Sequence, residues 1–140
     1  MSYKELISIL NNLRIKRLEI ERLKKKVIEL GESLGYKSPS YDEKVQSLGS
    51  NNIAESEQYN YLASLQELKN QLATLEIEQA IWNKRFEELE DPNYRLILKL
   101  YYQDGMNLYR ISGYMNYSYD YTRQLKARAM RKLFRSIEKK

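Results

Sequence analysis

The chain has 140 residues, 42% hydrophobic and 31% charged, with a net charge of +5. It has no cysteine and no histidine, which excludes disulfides, thiolate and imidazole metal sites and the commonest general base. No Gly-rich phosphate loop or acidic cation loop stands in the sequence, so neither an enzyme nor a cofactor is expected.

Only two prolines and five glycines interrupt the chain, and the expected fold class is all-α. Residues 3–34 read as one long helix. Leu6, Ile9, Leu13, Ile20, Leu23, Val27, Leu30 and Leu34 recur in steps of three and four, an apolar seam of heptad type broken at Lys16. Leu10, Ile15, Leu18 and Ile28 lie off that seam and widen the apolar stripe. Gly31 and Gly35 weaken the helix end, and Ser38-Pro39-Ser40 stops it. Residues 35–52 are polar and turn-rich and read as a loop.

A second long helix is expected from about Ile53 to Glu90. Its seam is Tyr61, Leu65, Leu68, Leu72, Leu75, Gln79, Trp82, Phe86 and Leu89, with Gln79 the one polar member. Two such helices predict a long antiparallel, coiled-coil-like hairpin, closed within one chain or between subunits. Lys16 and Gln79 either set register or mark where each seam leaves the interface. Asp91-Pro92 then ends one helix and starts another, running to about Tyr102, with Leu96, Ile97, Leu100 and Tyr101 along one side. The expected domains are therefore 1–90 and 91–140.

The final segment differs in charge. From Asn107 onward nine Lys/Arg face only Asp120 and Glu138, giving +7, so the preceding 106 residues carry −2. A concentrated cationic face seeks a polyanion. Within it, Asn107 can cap a short helix over 108–115, with Leu108, Ile111 and Met115 inward. Asn116 tolerates a left-handed turn, and Tyr117 can pack across it. Ser118 can cap a longer helix in which Thr122, Leu125, Ala129 and Leu133 face the core, extended by Met130 and Ile137. A short helix, a tight turn and a capped longer helix predict a helix-turn-helix.

Its second helix would present Tyr119, Asp120, Arg123 and Gln124 to bases in the major groove. Arg and Gln there have the donor geometry for guanine and adenine edges. Ser118, Lys126, Arg128, Arg131, Lys132 and Arg135 would meet phosphates. Gly113 lowers the helix propensity of the first helix by about 1 kcal/mol relative to alanine.

This segment, NLYRISGYMNYSYDYTRQLKARAMRKL, resembles region 4 of bacterial sigma factors. Ile111, Ser118, Arg123-Gln124, Ala127-Arg128-Ala129 and Arg131-Lys132-Leu133 carry the match; Thr122 stands where that family has an aliphatic residue. The resemblance covers about the last 50 residues and implies that Tyr119, Asp120, Arg123 and Gln124 face promoter bases. With two heptad helices ahead of it, the arrangement resembles small phage regulators of the RinA/ArpU type, which implies activation of phage or prophage late genes. The expected partners are double-stranded DNA, bacterial RNA polymerase and a second copy of the chain, as a dimer. Two alternatives stay open: a small-terminase-like packaging protein, and a polymerase- or sigma-binding coiled-coil module. No run approaches the roughly 20 apolar residues of a membrane span, and the N-terminus lacks the basic start of a signal peptide; a cytoplasmic location is expected.

Overall fold

A computed structural model describes residues 1–35 and 55–139. The loop expected at 35–52 and the start of the second helix lie almost wholly outside these residues. Among those described the fold is all-helical, with no strand. The elements are α1 (Tyr3–Ser33), α2 (Glu55–Glu87), α3 (Pro92–Leu98), which continues into a π-helical turn (Lys99–Gln103), α4 (Leu108–Met115) and α5 (Tyr119–Glu138). No helix among the described residues is long and apolar enough to cross a membrane. The chain divides into two compact units, Met1–Leu18 with Leu75–Lys140, and Glu19–Thr74.

Helix ends follow local chemistry. Ser2 and Glu5 exchange bonds, Ser2 N donating to the Glu5 carboxylate (3.2 Å) and Glu5 N to Ser2 Oγ (3.1 Å), a capping box. α2 closes at Glu87, three residues before the end the seam suggests. Arg95 reaches back there, its Nη1 donating to Leu89 O (2.6 Å) and Glu90 O (3.0 Å). Asp91 accepts from Asn93 N (2.8 Å) and Pro92 fills the first helical position, so α3 starts where the sequence predicts.

In the Glu19–Thr74 unit the heptad members Ile20 and Val27 of α1, Leu34 just beyond its end, and Tyr61 and Leu68 of α2 are buried. Gly31 is buried too, for a reason the sequence does not reveal. A Cβ there would stand 3.0 Å from Tyr61 Cε2 and 3.1 Å from its hydroxyl. The glycine admits a tyrosine ring.

In the other unit the core joins Leu6, Leu10 and Leu13 of α1, Leu75, Trp82 and Phe86 of α2, Ile97 and Leu98 of α3, Leu100 and Tyr102 of the π-helical turn, Ile111 of α4 and Leu125, Ala129, Met130 and Leu133 of α5. Here the seam of α1 departs from expectation. Leu10, in the stripe beside the seam, is fully buried, whereas the seam member Ile9 is 38% exposed and the stripe members Ile15 and Leu18 are exposed too. The N-terminal part of α1 packs against more than one neighbour: Tyr3 meets Phe134 of α5 edge-on at 5.6 Å, and Arg14 stacks on Tyr101 at 4.4 Å. The buried stripe therefore swings toward α3 and α5. The polar seam members also find partners. Lys16 pairs with Glu78 at 2.9 Å, half exposed. Gln79 donates to Gln103 O (3.3 Å) and receives from Gln103 Nε2 at its own carbonyl (3.1 Å).

The third helix does not run as one α-helix to Tyr102. From Lys99 it widens, and Asp104 N donates to Lys99 O (3.0 Å), the i→i+5 bond of a π turn. Leu96, expected on the inner side, is 37% exposed, while Leu98 and Tyr102 are buried.

Two glycines should respond in opposite directions. Gly113→Ala in α4 meets nothing within 4 Å, and should raise stability by about 1 kcal/mol from helix propensity. Gly31→Leu drives a branched side chain into Tyr61 and should cost about 1–3 kcal/mol. Urea unfolding of the two variants checks the opposite signs; a stabilised Gly31→Leu chain would show that the Tyr61 contact is slack.

Candidate nucleic-acid interface

The α4–α5 connection is built from three residues, Asn116-Tyr117-Ser118. α4 begins at Asn107, whose side chain accepts from Arg110 N (2.8 Å). It ends at Asn116, in the left-handed region at φ 60°, ψ 40°. Tyr117 N donates back to Ser112 O (3.0 Å), a Schellman-type closure that satisfies a terminal carbonyl. α5 then starts at Ser118, whose Oγ accepts from Tyr121 N (3.2 Å). Thr122 is fully buried, and its hydroxyl donates to Ser118 O (2.8 Å). That bond is how a threonine occupies an interior position without leaving a polar atom unpaired. Tyr117 is half-buried, its ring 4.8 Å from that of Tyr121 in an edge-on arrangement.

With the core face of α5 turned inward, Tyr119, Asp120, Arg123, Gln124, Arg128, Arg131, Lys132 and Arg135 are all exposed, as is Ser118. Gln124, Arg128, Arg131 and Arg135 follow steps of four, three and four. On an α-helix that spacing makes one row along the solvent face. Asp120 lies 3.8 Å from Arg123, an exposed i,i+3 pair that contributes little to stability. It sits in the first turn, where the helix dipole favours a carboxylate.

Not all the cations share one environment. Lys132, Arg135 and Lys139 line a cleft together with Glu88, Glu90 and Asp91. Lys126 leaves the exposed set altogether. It is half-buried, its ammonium 4.3 Å from the centre of the Tyr101 ring and 5.4 Å from that of Tyr102. Burial, and then the like charge of Arg14, lower its pKa below the ordinary lysine value. Tyr102 Oη is buried with no hydrogen-bond partner among the described residues. Its pKa is raised, chiefly by burial and further by Tyr101 and Tyr3, with Arg14 opposing. No group of three or more carboxylates among the described residues could hold a metal ion.

Tyr114, one of the tyrosines that make this motif aromatic, is 62% exposed on α4. Tyr109, 77% exposed beside exposed Arg110, is a further surface residue that the sequence reading does not single out; its place off the helix's apolar spacing is the available signal. Arg14 carries no sequence signal at all, because its partners lie some ninety residues downstream. Compared with protein-family models, with curated proteins and with solved structures, the chain matches none.

The two caps are separable by mutation. Ser118→Ala should cost about 1 kcal/mol of stability. Asn116→Ala should cost about 1–2 kcal/mol for the left-handed backbone, whereas Asn116→Gly should be neutral or stabilising. Equal losses for Ala and Gly at 116 in chemical denaturation would mean that the side chain of Asn116, and not its φ, holds the turn.

Proposed function

We propose that this protein is a sequence-specific double-stranded-DNA-binding transcription regulator in which α4 and α5 form a helix-turn-helix. The observation that carries the reading is the solvent-facing row Gln124, Arg128, Arg131 and Arg135, flanked by Arg123, on a helix whose opposite face buries Thr122, Leu125, Ala129, Met130 and Leu133. A helix entering the major groove leads with its N-terminal residues. Tyr119, Asp120, Arg123 and Gln124 occupy that end, and Arg and Gln suit guanine and adenine. Ser118, Arg128, Arg131, Lys132 and Arg135 follow as phosphate contacts, Lys132 and Arg135 more weakly because of the carboxylates near them. Lys126, turned onto Tyr101, is left out of the phosphate set.

We further infer that α1 and α2 pair as an antiparallel hairpin along their seams. In each compact unit seam residues of both helices are buried together, which supports that pairing. The hairpin offers a surface for a second copy of the chain, giving a dimer that reads paired half-sites, or for RNA polymerase. The resemblance of two heptad helices followed by a sigma-region-4-like tail to small phage regulators of the RinA/ArpU type directs the regulatory reading toward activation of phage late genes.

Fluorescence anisotropy on a duplex selected from a random-sequence library, and on its scrambled counterpart, tests the assignment. Arg123→Ala should weaken the selected duplex by about 1–3 kcal/mol and erode discrimination. Arg131→Ala should weaken both duplexes alike. With the four cations Arg128, Arg131, Lys132 and Arg135 left in the phosphate set, the log–log salt slope should be about −3 to −4. Absence of binding to any duplex at low salt would refute the reading.

A further inference from the structure

Two cations from opposite ends of the sequence converge on one aromatic ring. The Arg14 guanidinium, from α1, lies 4.4 Å from the centre of Tyr101, and the Lys126 ammonium, from α5, lies 4.3 Å from it. Arg14 Nη2 also donates to Gly105 O at 3.4 Å, in the loop that leads to α4. No carboxylate among the described residues pairs with Arg14 or Lys126. The ring's negative face is thus what attracts both charges. Eight residues along α5 from Lys126, Tyr3 of α1 meets Phe134 edge-on at 5.6 Å. These two contacts grip α5 near each end of the stretch that presents Arg128 and Arg131.

We infer that Arg14 and Tyr101 are positioning residues of the DNA-reading helix: the N-terminal helix, through the Tyr101 ring shared with Lys126, sets the placement of α5 without touching nucleic acid itself. The inference rests on the DNA-binding reading for its functional consequence, but the clamp is a property of the protein alone. It also gives Lys126 a task, since that side chain is spent on the ring and is withdrawn from the solvent row.

The test uses the full chain and the selected and scrambled duplexes. Arg14→Met and Tyr101→Leu should each weaken binding to the selected duplex about three- to ten-fold, within the range of one half-buried cation–π contact. The scrambled duplex should change by less than about two-fold and the salt slope should stay constant, because no phosphate ligand is lost. Arg14→Lys and Tyr101→Phe, which keep the cation and the ring, should restore most of the affinity. Parent-like affinity in both disruptive variants would overturn the inference. So would a salt slope shallower by about 0.9 in Arg14→Met, the mark of a phosphate ligand. If Arg131→Ala leaves DNA binding untouched, the DNA reading itself falls. The clamp is then decided by amide hydrogen exchange over Leu125–Leu133, which should accelerate in Arg14→Met and recover in Arg14→Lys. Unchanged exchange, or unfolding that Arg14→Lys does not rescue, overturns the clamp as well.

Discussion

The π-helical turn Lys99–Gln103 is the joint on which the larger unit depends. Widening the helix by one residue per turn sends successive side chains in directions a regular helix would not allow. Tyr102 goes into the core, fully buried. Tyr101, its ring perpendicular to that of Tyr102 at 4.8 Å, turns to the two cations. Gln103 exchanges bonds with Gln79, and Lys99 pairs with Glu87. Lys99, Tyr101 and Gln103 of this one turn thereby touch α1, α2 and α5 between them. Straightening this turn would move at least one of those contacts off its partner, so the turn and its neighbours are mutually specifying.

The cations of α5 show how a strongly charged helix can be divided among tasks. Counting charges along the sequence treats them as one patch. Their surroundings separate them into a free solvent row, a group facing the carboxylates of the α2–α3 junction, and Lys126 buried against aromatic rings. The division matters for any polyanion. Lys132, Arg135 and Lys139 share a cleft with Glu88, Glu90 and Asp91, whose negative charge also repels a polyanion, whereas Arg128 and Arg131 lie outside it. The middle of α5 should therefore dominate its electrostatic attraction, even though the terminal part holds as many positive residues.

Much of this fold is legible in the residues, for physical reasons that differ by element. The limits of α4 and α5 could be read because Asn107, Asn116 and Ser118 each do something their neighbours cannot: two accept from a helix's first amides and one adopts a positive φ. The long helices were legible from period alone. Period fails, however, where a helix meets two neighbours instead of one, which is why Ile9 and Leu10 exchange roles. It fails again at Lys99–Gln103, since widening leaves no mark on spacing. In the candidate site, the exposure of the residues proposed to meet bases and phosphates follows from helical geometry. Lys126 does not, because the wheel position it holds is a core position. Only the presence of Tyr101 and Tyr102, rather than aliphatic side chains, makes an ammonium tolerable there.

One further consequence follows from the placement of Trp82. It is the sole tryptophan of the chain, buried beside Phe86 at 6.5 Å with Arg85 5.4 Å from its ring, and it belongs to the unit that contains α5. Its fluorescence is accordingly a private optical channel on that unit, while far-UV ellipticity sums over every helix. A melt whose two signals separate would resolve the heptad section from the rest of the molecule without labels or truncation.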